Sequence, residues 1–148
     1  MKRQLFAFAL LGLIATPLWA ANHCSTTIEG NDMMQYDKSE IVVPKSCSKF
    51  TVTLKHTGKL PRAAMGHDWV LTTKANEKTV LADAAKAGLA NGYLKPGDKR
   101  VIAHTKLIGG GESDSVTFKT SALKNGPFVF FCSFPGHETM MHGTLTVK

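Results

Sequence analysis

Long apolar runs are scarce in this sequence. One stretch, Leu5 to Ala15, is unbroken, and Thr16-Pro17 ends it. A membrane-crossing helix needs about 20 apolar residues, so no membrane insertion is expected. The setting reads instead as a secretory leader. Lys2 and Arg3 precede the run, and Leu18-Trp19-Ala20 offers a small residue for cleavage. Residues 1–20 are thus expected to be a cleaved signal peptide and 21–148 a single mature domain. A lipid anchor is not expected, because Asn22-His23 ahead of Cys24 lacks the small and apolar residues of a lipidation signal.

Dense charge of one sign is also missing. The 18 lysines and arginines exceed the 11 acidic residues to give +7, or about +5 without Lys2 and Arg3. They are scattered, as Lys38, Lys45, Lys49, Lys55, Lys59 and Lys74 illustrate, and nowhere form a dense stripe with interleaved aromatics. A nucleic-acid-binding face is not expected on that ground, and a well-solvated basic surface is. There is no internal repeat and no low-complexity tract. Cysteine is rare, with three in the chain. Export leads to an oxidising compartment, where cysteines pair, and three leave one over. Cys24 and Cys47 sit among polar turn residues, in HCST and KSCSK. A bridge between them would close a loop of about two dozen residues and stabilise the fold by about 3 kcal/mol. Cys132 is then the odd thiol, and it needs burial or a metal.

What the sequence does hold is period-two alternation. Phe50, Val52, Leu54 and His56 share one face of Lys49–His56, while Lys49, Thr51, Thr53 and Lys55 share the other. Further strands are expected after Cys24 and at Ile41–Val43, Trp69–Thr73, Lys99–Thr105, Ser115–Lys119, Pro127–Cys132 and Thr144–Lys148. Turn signals such as Glu29-Gly30-Asn31-Asp32 and Lys95-Pro96-Gly97-Asp98 separate them. Lys78–Leu89 differs, with Val80, Leu81, Ala84 and Ala85 at helical spacing. The expected architecture is all-β: a Greek-key antiparallel β-sandwich of seven or eight strands with one short inserted helix.

The chemistry gathers in FFCSFPGHETMMHG, residues 130–143. A strand ends at Cys132, Phe134-Pro135-Gly136 turns the chain, and His137 and Met141 follow. One loop can therefore bring a thiolate, an imidazole and a thioether to one point. That set suits copper, because soft sulfur holds Cu(I) and imidazole tolerates both oxidation states. A second imidazole would complete the set, and His67 in MGHDW is the best placed. Asp68 and Ser133 flank these residues and are candidates to anchor them.

The stretches NDMMQYDKSEIVV, FTVTLKHTGKLP, AMGHDWVLT, RVIAHTKLIGGGESDSVTF and FFCSFPGHETMMHGTLTVK resemble the blue-copper proteins of the cupredoxin family. The match spans essentially the whole mature chain. The Cys132-to-His137 spacing matches the longer-looped members rather than those like plastocyanin or amicyanin. The resemblance implies that His67, Cys132 and His137 are the three strong ligands of one copper ion. It implies that Met141 is a weak axial ligand and the Gly66 carbonyl a more distant one. It pairs Cys24 with Cys47, and it places Met34, Leu60, Ala64, Met65, Phe134, Pro135 and Met140 around the exposed edge of His137 as a docking patch. His56 matches a histidine near the site that is not a ligand. Asp68 is a departure, since relatives commonly carry Asn there, and a carboxylate near copper would lower the reduction potential.

The function so implied is that of a periplasmic one-electron shuttle, monomeric and without bond chemistry. Its implied partners are redox proteins such as c-type cytochromes or a nitrite reductase. Two other classes use the same residues. A copper store would need an easier handover than a closed site of two histidines and a thiolate allows. A Cys132–His137 nucleophile and base would need an orienting third group, which nothing in the sequence supplies. Zinc can occupy the same ligands.

Overall fold

The computed structural model describes residues 24–148, so the expected leader and His23 lie outside the described residues. Eight strands follow one another: β1 (Ser25–Gly30), β2 (Glu40–Val43), β3 (Lys49–His56), β4 (Val70–Thr73), β5 (Val101–His104), β6 (Ser113–Lys119), β7 (Phe128–Phe131) and β8 (His142–Val147). They form two sheets, one in the order β1-β3-β6 and the other β2-β8-β7-β4-β5. The expected β-sandwich is present. Its sheets are mixed, however: β1 pairs with β3, and β2 with β8, in parallel. The other pairings are antiparallel.

Alternation makes the sandwich. Along β3, Phe50, Val52, Leu54 and His56 are buried, while Lys49 and Lys55 are exposed. Each large apolar side chain so placed contributes about 1.5–3 kcal/mol. They meet Ile28 from β1, Leu145 from β8 and Phe130 from β7 in one core. Trp69 sits at its centre, with ring centroids 5.9 Å from Phe130 and 6.2 Å from Phe118. β7 is apolar throughout and buried on both faces, because β4 and β8 flank it and a second cluster with Val80 and Leu94 covers its far side.

Trp69 was expected in a strand, but β4 starts one residue later. The Thr105 hydroxyl, not a strand carbonyl, accepts the Trp69 N–H (2.9 Å). The inserted helix is α2 (Glu77–Ala87); a single helical turn, α1 (Arg62–Met65), precedes it in the chain. Val80 and Ala84 are the buried residues of α2. A positive φ of 70° at Gly88 ends it, a conformation glycine adopts without a Cβ clash.

A disulfide joins Cys24 to Cys47, with a Cα–Cα distance of 5.6 Å. It ties the start of β1 to the segment before β3. Among the described residues, Cys132 is the free cysteine, and it is fully buried.

Candidate metal centre

β7 ends at Phe131 and delivers Cys132 to one end of the sandwich. The chain then folds back in tight turns. Gly136 takes a φ of 84°, and the His137 N–H donates to the Phe134 carbonyl (3.0 Å). The Met141 N–H donates to the His137 carbonyl (2.8 Å), and the Cys132 N–H donates to the Met141 carbonyl (3.0 Å), which closes the loop. Cys132, His137 and Met141 are all buried. His67 arrives from across the barrel. Two backbone bonds with Ile108, at 3.0 and 2.8 Å, fix it in an isolated bridge.

His67, Cys132 and His137 therefore come together, with one ligand atom from each lying within 4.8 Å of the others. Cys132 Sγ is 3.6 Å from His137 Nδ1 and 3.9 Å from the Gly66 carbonyl. His67 Nε2 lies 2.8 Å from the Asn31 carbonyl, which can only accept, so Nε2 carries the proton. That leaves a lone pair on Nδ1, which is buried and has no hydrogen-bond partner. A buried imidazole nitrogen without a partner is costly unless something else uses it. Burial also lowers the His67 pKa to about 4 and pulls His137 down, so both rings favour the neutral form that binds metal. Cys132 is the opposite case. Burial, then the Asp68 charge, push its thiol pKa well up, and a thiolate there requires a cation to offset it. The donor set fits copper.

The flanking residues Asp68 and Ser133 meet directly. The Ser133 N–H donates to Asp68 Oδ1 (2.7 Å), and the Ser133 hydroxyl donates to Oδ2 (2.6 Å). The Tyr36 hydroxyl donates to the Asp68 carbonyl. Asp68 is buried, and desolvation raises its pKa to about 6 while the Ser133 bonds oppose the rise. These contacts join the His67 and Cys132 segments across the site. His56 stacks on His67 at 4.2 Å between centroids, with 17° between planes. Its own ring is held at both nitrogens. Nδ1 accepts from the Gly58 N–H (3.1 Å), so Nε2–H donates to the Met65 carbonyl (2.7 Å).

The residues expected to rim His137 differ in exposure. Phe134 stacks on it at 4.4 Å. Met34, Leu60, Ala64, Pro135 and Met140 are exposed, Met140 by 57%, while Met65 and Phe134 are half-buried. Asn31 was missed in the sequence, because its contribution is a backbone carbonyl and no side-chain pattern marks it. His142 is half-buried, with Nε2 2.6 Å from Glu77 Oε1. His142 opens β8, and Glu77 is the first residue of α2.

Two imidazoles and a buried thiol, gathered where loops close one end of a mixed β-sandwich, define a cupredoxin metal centre. Comparison with known proteins agrees. The family described as copper binding proteins, plastocyanin/azurin family, matches residues 22–148. The azurin of Pseudomonas aeruginosa is 56% identical over 149 aligned residues that cover all of both chains. The azurin of Bordetella pertussis is 57% identical, covering 97% of this chain and 96% of its own. That of Alcaligenes faecalis is 59% identical over 82% of this chain and 96% of its own. This chain belongs to the plastocyanin/azurin family of copper-binding proteins, and copper is its cofactor.

Proposed function

We propose that this protein is a soluble periplasmic carrier of single electrons, not an enzyme, and that it exchanges them with other redox proteins through the edge of His137. The observation that carries this reading is the buried set of His67, Cys132 and His137, whose ligand atoms lie close enough to hold one ion. When bound, copper supplies the one-electron couple. His67, Cys132 and His137 would hold it most strongly, with the Met141 thioether as the weak axial ligand of our reading and the Gly66 carbonyl as a further weak contact. Two imidazoles and a thiolate would suit both oxidation states, so little would rearrange on transfer.

The surrounding residues keep it so. Asn31 and His56 fix the His67 ring, Asp68 and Ser133 hold the two ligand segments together, and Phe134 supports His137. Met34, Leu60, Ala64, Met65, Phe134, Pro135 and Met140 form the docking rim. Its apolar groups lose water on contact, which suits a brief encounter burying less than about 1,200 Å². Residues 1–20 act as the export signal. The Cys24–Cys47 bridge is in keeping with an oxidising compartment.

Electron self-exchange tests this reading. Mixed oxidised and reduced copper protein should exchange rapidly, and Met140→Glu should slow exchange at least about tenfold, since like charges would meet across the rim. The reduction potential should stay unchanged. Slow exchange in the wild type, or an undiminished rate in Met140→Glu, would sink the proposal.

A further inference from the structure

Gly30 is the last residue of β1, and it is buried. Its φ is not among the positive values, so its backbone conformation is one that any residue can adopt. Space is what it needs. A Cβ at this position would lie 2.8 Å from His67 Cδ2 and 3.0 Å from Met141 Cε. Both distances are tighter than side chains tolerate without displacement.

The neighbours differ in how far they can yield. The His67 ring is bonded to Asn31 at one edge, stacked on His56 across its face, and anchored through its backbone to Ile108. Gly30 itself is held, because its carbonyl accepts the Thr57 N–H (2.8 Å) and the Thr57 hydroxyl (3.1 Å). The Met141 methyl is the end of an unbranched, flexible side chain. The Met141 thioether is therefore the neighbour that yields most easily, while the 2.8 Å contact is shared between the His67 ring and the end of β1.

We infer that Gly30 is a positioning residue of the copper site: its missing side chain leaves a slot bounded by the Met141 methyl and the His67 ring edge, and so sets the place of the Met141 sulfur. This rests on the reading of Met141 as the axial ligand. The axial ligand is one of the levers on the potential of a trigonal copper site, whereas the thiolate carries its colour. Gly30 thus acts on the potential chiefly through the Met141 sulfur, the more yielding of its two neighbours.

The test uses the copper-loaded mature protein and three variants: Gly30→Ala, Met141→Ala and the double variant. Gly30→Ala should keep the intense thiolate-to-copper absorption but shift the reduction potential. In the Met141→Ala background the same substitution should shift it by less than half as much. A Gly30→Ala protein with wild-type potential overturns the inference, as does an equal shift in both backgrounds. Met141→Ala with wild-type potential and spectrum strikes the axial reading itself. If Gly30→Ala does not fold, recovery of folded protein in the double variant supports the inference, and failure to recover overturns it.

Discussion

The two ends of β1 are held by different means. At its start, Cys24 is covalently bonded to Cys47. At its end, about 20 Å away for six residues at about 3.3 Å each, Gly30 packs against His67 and Met141. The first end is complete in the polypeptide. The second keeps a partnerless imidazole nitrogen and a buried thiol, and desolvation acts on both. One end stabilises the fold whatever is bound. The other is built at some cost to the empty chain and is completed by a metal.

Four expected outcomes would sharpen or break that contrast. The largest concerns the metal end. Replacing Cys132 with Ser should abolish the thiolate-to-copper absorption, with far-ultraviolet circular dichroism unchanged, because the sandwich does not depend on the thiol. Loss of fold in that variant would mean the ends are not separable. Next, Cys24→Ala with Cys47→Ala should lower unfolding stability by about 3 kcal/mol in denaturant titration. The visible spectrum of its copper form should match the wild type.

The third outcome concerns pH in the copper-free protein. Asp68 has its folded pKa raised from 3.8 to about 6, so the folded state binds its proton more tightly than the unfolded state. Stability from this group is present below pH 3.8 and is lost as pH rises through about 6, by up to about 3 kcal/mol. Asp68→Asn can bond Ser133 by turning the hydroxyl, and it should flatten this part of the pH profile. In the copper protein it should also raise the reduction potential, because it removes a negative charge near Cu(II). An unchanged profile would remove Asp68 from the account. The smallest effect lies outside the contrast. Glu77→Gln weakens its pairs with Lys74 and His142 and should cost no more than about 1 kcal/mol in thermal unfolding, with the copper spectrum unaltered.

The metal loop was legible because its chemistry is local. Cys132, His137 and Met141 fall within ten residues, and Phe134-Pro135-Gly136 announces the turn between them. β3 was legible for a similar reason: its alternation names both faces, and its limits Lys49–His56 are those expected. The parallel pairings were not. β1 meets β3, and β2 meets β8, through backbone groups far apart in sequence, and hydrophobic alternation says nothing of direction. The support of the site was equally hidden. Asn31 works through its carbonyl, and Gly30 through a side chain it lacks. Asp68 could be named as a neighbour of His67, but its two bonds to Ser133 needed the fold to bring residues 65 positions apart together.

The central claim is that one end of this sandwich is incomplete without copper. Titrating the metal-free protein with Cu(II) while recording its visible spectrum tests it most directly. The account predicts an intense thiolate-to-copper band that saturates at one equivalent, accompanied by a higher unfolding temperature. A titration that produces no such band, or leaves the unfolding temperature where it was, would contradict it.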